Sequence, residues 1–135
     1  MASQFEDLTP VAAPSYALGS TEVQLLEETI DENFRRTCER FPEREALVAI
    51  HQDVRFTYAE LDREVERVAR GLLSLGLEAG DRVGLWSPNR YEWVLVQYAT
   101  ARIGVIMVCI NPSYATQELD YVLCHSGCRA LIASP

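Results

Sequence analysis

The strongest constraint on this chain is an alternation that begins at Arg82. A mostly apolar stretch over 82–86 gives way to a helical pattern from about 90 to 102. An apolar run over 105–110 follows, then a second helical pattern from 116 to about 125 and a short apolar stretch over 130–133. Strand, helix, strand, helix, strand in that order predicts an α/β fold: a layered sheet of mainly parallel strands with flanking helices. Each helical crossover returns the chain to the same end of the sheet, and the crossovers are right-handed. The run over 105–110 is apolar at successive positions, so it is expected to be buried on both faces. Such sheets bind ligands beyond the carboxyl ends of their strands. The ends to watch are Trp86-Ser87 and Ile110-Asn111.

Upstream of this unit the pattern predicts two helices and a short β-hairpin. A helix over about 29–40 opens on a capping box, Thr29 with Glu32, places Ile30 and Phe34 on one face, and is followed by Pro42. Two short apolar stretches, 46–50 and 54–56, flank His51-Gln52-Asp53 and read as a hairpin, although the turn lacks an Asn-Gly pair. A second capping box, Thr57 with Glu60, opens a long helix over 58–75. Its apolar stripe is Leu61, Val65, Val68, Ala69, Leu72 and Leu73. Gly76 stands where a left-handed residue ends a helix. Arg63, Glu66, Arg67 and Arg70 form a solvated face, with Glu66 and Arg70 in the favourable i,i+4 order, worth about 0.2–0.5 kcal/mol. Residues 1–24 show little periodicity and hold Pro10, Pro14 and Gly19; they are expected to be an extended arm that needs a partner surface to order.

Charge excludes several function classes. The net charge of −8 argues against nucleic acid and against an anionic membrane surface. All twelve basic residues are arginines, so chemistry that needs a lysine is outside the reach of residues 1–135. The first residues are acidic and match neither a secretory signal nor an Arg-rich transit peptide. The longest apolar run, 103–110, is too short to span a bilayer. The four cysteines, Cys38, Cys109, Cys124 and Cys128, read as reduced thiols, and a cytoplasmic location is expected.

Three groups of residues have chemistry to weigh. Cys124-His125-Ser126-Gly127-Cys128 holds three metal-ligand types. With no second Cys/His pair nearby, it reads better as two part-buried thiols beside a helix-terminal histidine. Cys109 with His125 is a conceivable nucleophile pair, but Cys109 lies in an apolar strand expected to hide it. Trp86, Tyr91, Trp93 and Tyr98 surround one strand and helix, either as core aromatics or as the lining of an apolar pocket. The glycines follow no G-x-G-x-x-G spacing, and no glycine-rich phosphate loop follows a strand.

Five segments in order carry a family resemblance: Phe56-Thr-Tyr-Ala-Glu-Leu61, Leu75-Gly-Leu-Glu-Ala-Gly-Asp-Arg-Val83, Ser87-Pro-Asn-Arg-Tyr-Glu-Trp93, Gly104 through Ile110-Asn-Pro112, and Glu118-Leu-Asp-Tyr121. From about Thr29 onward the chain resembles the N-terminal region of AMP-forming acyl-CoA synthetases, within the adenylate-forming ligases. The resemblance implies that residues 25–135 are an incomplete N-terminal portion of an AMP-binding domain. It also implies a reaction: ATP with Mg²⁺ activates a carboxylic acid to an acyl-adenylate, and coenzyme A then takes the acyl group. That chemistry relies on a Ser/Thr/Gly-rich phosphate loop, an acidic metal ligand, a ribose-binding Asp and a late lysine, none of which lies within residues 1–135. The resemblance therefore assigns no catalytic, cofactor-binding or metal-ligating residue here. The isolated chain is expected to bind no cofactor, to be inactive and marginally stable, and to have the remainder of the synthetase as its partner. A truncated interaction module and a small apolar-ligand-binding domain are the alternatives.

Overall fold

The protein is described by a computed structural model that covers residue 22 and residues 24–134, so all but the end of the expected N-terminal arm lies outside the described residues. The elements run α1 (Ile30–Arg40), β1 (Glu45–Ala49), a 3-10 turn (Ile50–Gln52), β2 (Val54–Thr57), α2 (Tyr58–Ser74), β3 (Arg82–Trp86), α3 (Tyr91–Ile103), β4 (Ile106–Ile110), α4 (Thr116–Ser126) and β5 (Ala130–Ala133).

Both capping boxes form. The Thr29 hydroxyl accepts from the Glu32 N–H while Glu32 takes the Thr29 N–H, and Thr57 and Glu60 repeat the arrangement. The Thr57 backbone N–H, and then its hydroxyl, hold the Glu60 carboxyl below its ordinary pKa. The hairpin pairs Ala49 with Val54 and Val48 with Arg55. It closes without Asn-Gly because Asp53 takes the left-handed conformation, at φ 52°, which a short polar side chain tolerates.

β3 is the centre of a three-stranded sheet in the order β4-β3-β5, parallel throughout. The chain leaves β3 to one side to build β4, then crosses to the other side to build β5. Strand order thus reverses about β3. One face of the sheet carries the core, in which Val83 and Val105 pack with Phe34 and Cys38 of α1, Leu61, Val65, Ala69 and Leu72 of α2, and Leu95 and Ala99 of α3. These spacings are the helical stripes of the sequence. Leu73 departs from its stripe and is half exposed, as is Ile30, which overhangs the start of α1 while Phe34 is buried.

The sheet corrects the expectation for the run over 105–110. Val105 and Ile110 are buried, but Ile106 is 47% exposed and Cys109 is exposed. β4 is an edge strand among the described residues, and α4 buries none of its own side chains. An apolar pattern records that a strand suits cover on both faces; whether cover is present depends on neighbours.

Candidate functional site

The carboxyl ends of β3 and β5 frame a cleft of about 130 Å³. It lies where the strand order reverses, the usual ligand position in open α/β sheets. Leu85 and Ser87 come from β3 and its exit, Ile132, Ala133 and Ser134 from β5 and its exit, and Arg90, Glu92 and Trp93 from the start of α3. Leu85 and Ser87 are buried. The Trp93 indole N–H donates to the carbonyls of Ser87 and Pro88, at 3.1 and 3.0 Å, which fixes its ring against the strand exit. Trp86 points elsewhere. Its indole N–H donates to the Asn111 carbonyl at 3.1 Å and ties the end of β3 to the end of β4.

Arg90 and Glu92 stand at the mouth as an ion pair, Nη2 to Oε1 at 3.1 Å. Burial works against the Glu92 carboxylate, but hydrogen bonds from Arg90 and Gln52 outweigh it and hold its pKa below the ordinary value. Gln52 reaches this point from the hairpin turn. Its Oε1 accepts from the Tyr91 backbone N–H at 2.8 Å, and its Nε2 donates to Glu92 Oε2 at 2.9 Å. Sequence reasoning passed over Gln52, because no local pattern reports a contact made 39 residues away. The sequence offered no warning, because a helix begun at about 90 has Asn89 as an apparent cap, whereas α3 begins at Tyr91 with Arg90 in the N-cap position.

The first turn of α3 is already partly engaged. A helix N-terminus attracts anions through free N–H groups. Here the first N–H is taken by Gln52, and Glu92 adds negative charge to the same turn. Among the described residues no group of three or more His, Cys, Asp and Glu side chains is arranged to hold a metal ion.

The structure separates the residues weighed in the sequence. The four aromatics do not form one cluster. Tyr98 stacks on Phe34 at 4.1 Å, Tyr91 meets Phe56 edge-on at 5.8 Å, and of the four only Trp93 lines the cleft. Cys124 lies 3.9 Å from Asp120, the His125 ring stacks on Tyr121, and Cys128 Sγ is 3.1 Å from the Ser126 hydroxyl. Cys109 is exposed, not hidden as expected, because β4 is an edge strand. It lies near the carboxyl end of β4, whereas His125 lies in the last turn of α4 at the opposite end of the sheet, where Arg129 N–H donates to the Arg82 carbonyl.

No helix among the described residues is long and apolar enough to cross a membrane. The family model for AMP-binding enzymes matches residues 34–135. Over 124 residues, 92% of this chain, the sequence is 51% identical to the mitochondrial medium-chain acyl-CoA ligase ACSF2 of Homo sapiens, of which it covers 20%. The fold is similar to the N-terminal domain of FACL13 from Mycobacterium tuberculosis, with a TM-score of 0.76 and 34% identity, over 78% of this chain and 26% of that one. It is also similar to the N-terminal subdomain of Klebsiella oxytoca NpsA, with a TM-score of 0.72 and 28% identity, over 78% of this chain and 27% of that one. The chain thus spans about one fifth of the length of the curated relatives it matches. With the five ordered segments, the parallel sheet and the family match in agreement, the chain belongs to the AMP-binding enzyme family.

Proposed function

We propose that this chain is the N-terminal part of a ligase that activates a fatty or other carboxylic acid with ATP and Mg²⁺ and passes the acyl group to coenzyme A. The observation that carries the reading is the 51% identity to an acyl-CoA ligase across nearly the whole chain. That relative is a medium-chain acyl-CoA ligase, which makes medium-chain acids the first substrates to test. On this reading residues 25–135 are scaffold, and the partner of the chain is the remainder of the synthetase. Residues 1–135 hold no lysine and no phosphate loop, so the isolated chain is proposed to be inactive.

The test is fatty-acid-dependent ATP–pyrophosphate exchange, measured on the isolated chain and on the chain extended by its downstream coding sequence. Exchange by the extended protein alone supports the reading. Exchange by residues 1–135 free of contaminating synthetase overturns the proposed inactivity, and none by either protein with any carboxylic acid overturns the ligase reading. The cytoplasm is the proposed compartment, supported by four free cysteines. Cell fractionation tests it, and recovery in mitochondria, as the human relative's name suggests for that protein, overturns it.

A further inference from the structure

α3 begins without a cap of its own. Arg90, in the N-cap position, is extended and its side chain makes no capping hydrogen bond, pairing with the Glu92 carboxylate instead. The first N–H groups of a helix have no intrahelical partner, so an uncapped start frays. Here the Tyr91 N–H is met from outside by Oε1 of Gln52, while Nε2 of the same side chain holds Glu92. A second link runs in parallel, for the Phe56 ring meets Tyr91 edge-on, at 66° between planes. Both links come from the β1–β2 hairpin, not from the sheet. The stretch they hold supplies Arg90, Glu92 and Trp93 to one side of the cleft, while β3, β5 and their exits supply the rest.

We propose that Gln52 is a positioning residue for the cleft: by fixing the first turn of α3 it sets the Arg90–Glu92 pair and Trp93, so that the hairpin turn and the mouth of the cleft move as one unit. The turn itself faces outward, with Ile50 85% exposed and His51 and Asp53 exposed beside it. The inference does not rest on the ligase reading, because it concerns the geometry of this chain.

Two substitutions separate the two arms of Gln52. Gln52→Glu keeps an acceptor for the Tyr91 N–H but sets a carboxylate against Glu92. Gln52→Leu removes both arms. Three NMR readouts on this chain follow the outcome: exchange of the Tyr91 amide, the shift of the Trp93 indole N–H and titration of the Glu92 carboxyl. Arg90 is the cation that faces this carboxyl. In Gln52→Leu, Tyr91 exchange is expected to rise about fivefold, the effect of losing a cap. The Trp93 indole signal moves and Glu92 titrates at higher pH. In Gln52→Glu, Tyr91 protection stays and Glu92 titrates higher still, because a like charge disfavours its ionised form.

Unchanged exchange in α2 is the control for an intact fold. With that control satisfied, a Trp93 indole signal and a Glu92 titration that stay put in Gln52→Leu overturn the proposal. If the leucine variant does not fold, Gln52→Glu decides alone: Glu92 titrating as in the parent overturns it, and an upward shift supports it.

Discussion

Arg102 Nε donates to Asp31 Oδ1 at 2.8 Å across 71 residues of sequence. The same guanidinium donates to Asp62 at 2.6 Å and to Glu66 at 3.3 Å, so one side chain, 9% exposed, joins α1, α2 and α3. Burial opposes its charge, but the hydrogen bonds it donates to Asp31 and Asp62 outweigh it and raise its pKa above the ordinary arginine value. Arg102→Ala leaves three carboxylates facing one another, with only Arg35 beside Asp31 and Arg70 beside Glu66 to offset them. The expected loss is about 3 kcal/mol, the low end for breaking a buried pair, because Asp62 and Glu66 keep some solvent. Arg102→Lys is expected to recover little of this, since a single ammonium does not reproduce the fork. Urea denaturation of both variants checks it.

Gly104 ends α3 at φ 71°, its N–H donating to the Thr100 carbonyl and its carbonyl accepting from the Gly80 N–H at 2.8 Å. A Cβ there would stand 3.1 Å from Ala79 Cβ. Gly104→Ala therefore meets both left-handed backbone strain and crowding, and is expected to cost about 1–2 kcal/mol. Thermal unfolding, read beside Gly71→Ala as a substitution with open space and ordinary φ, separates strain from a general glycine effect.

The four thiols differ in exposure, and burial pushes the Cys38 thiol up to about 11. Reaction requires the thiolate and access to it. In the native chain at pH 8, Cys109 and Cys124 are expected to react fastest with an aromatic disulfide reagent and Cys128 more slowly. Cys38 reacts only after denaturant is added. Mass spectrometry of partially labelled protein locates each site, and early labelling of Cys38 would contradict the buried core of α1.

Acid is expected to destabilise the fold. The Asp81 carboxyl is held low by the Glu78 backbone N–H and, beyond that, by Arg129; Glu92 is held low as described. A carboxylate with a lower pKa in the folded state contributes stability that is complete above its unfolded value, about 4, and is lost as pH falls through the folded value. The denaturation midpoint should be flat between about pH 6 and 8 and decline below about pH 5. Asp81→Asn with Glu92→Gln should make the decline shallower, and an unchanged slope in the double variant would remove these two groups from the account.

Much of the fold was legible because it is local. The capping boxes at Thr29 and Thr57 are separated from their partners by three residues, and the bounds of β3 and β5 coincide with the apolar stretches read from the sequence. The alternation after Arg82 was enough to predict parallel strands, since a helix between two strands leaves them pointing the same way. The family was legible for a similar reason: turn and cap residues recur in order along the chain, and order survives without any knowledge of packing.

The cleft was legible only as a place, the ends of β3 and β4; its walls are built at β3 and β5, with α3. The sequence by itself determined which residues form helices and strands, the direction of the strands, and the absence of lysine chemistry from residues 1–135. Tertiary structure alone decided that Gln52 caps α3, that Arg102 joins three helices, and that the apolar strand β4 stands at an edge with Cys109 exposed. The physical reason is range. Backbone propensity and capping act over three or four residues, where sequence spacing is spatial spacing. Burial, ion pairing and caps supplied from a distant turn depend on which elements meet, and no spacing along the chain records that.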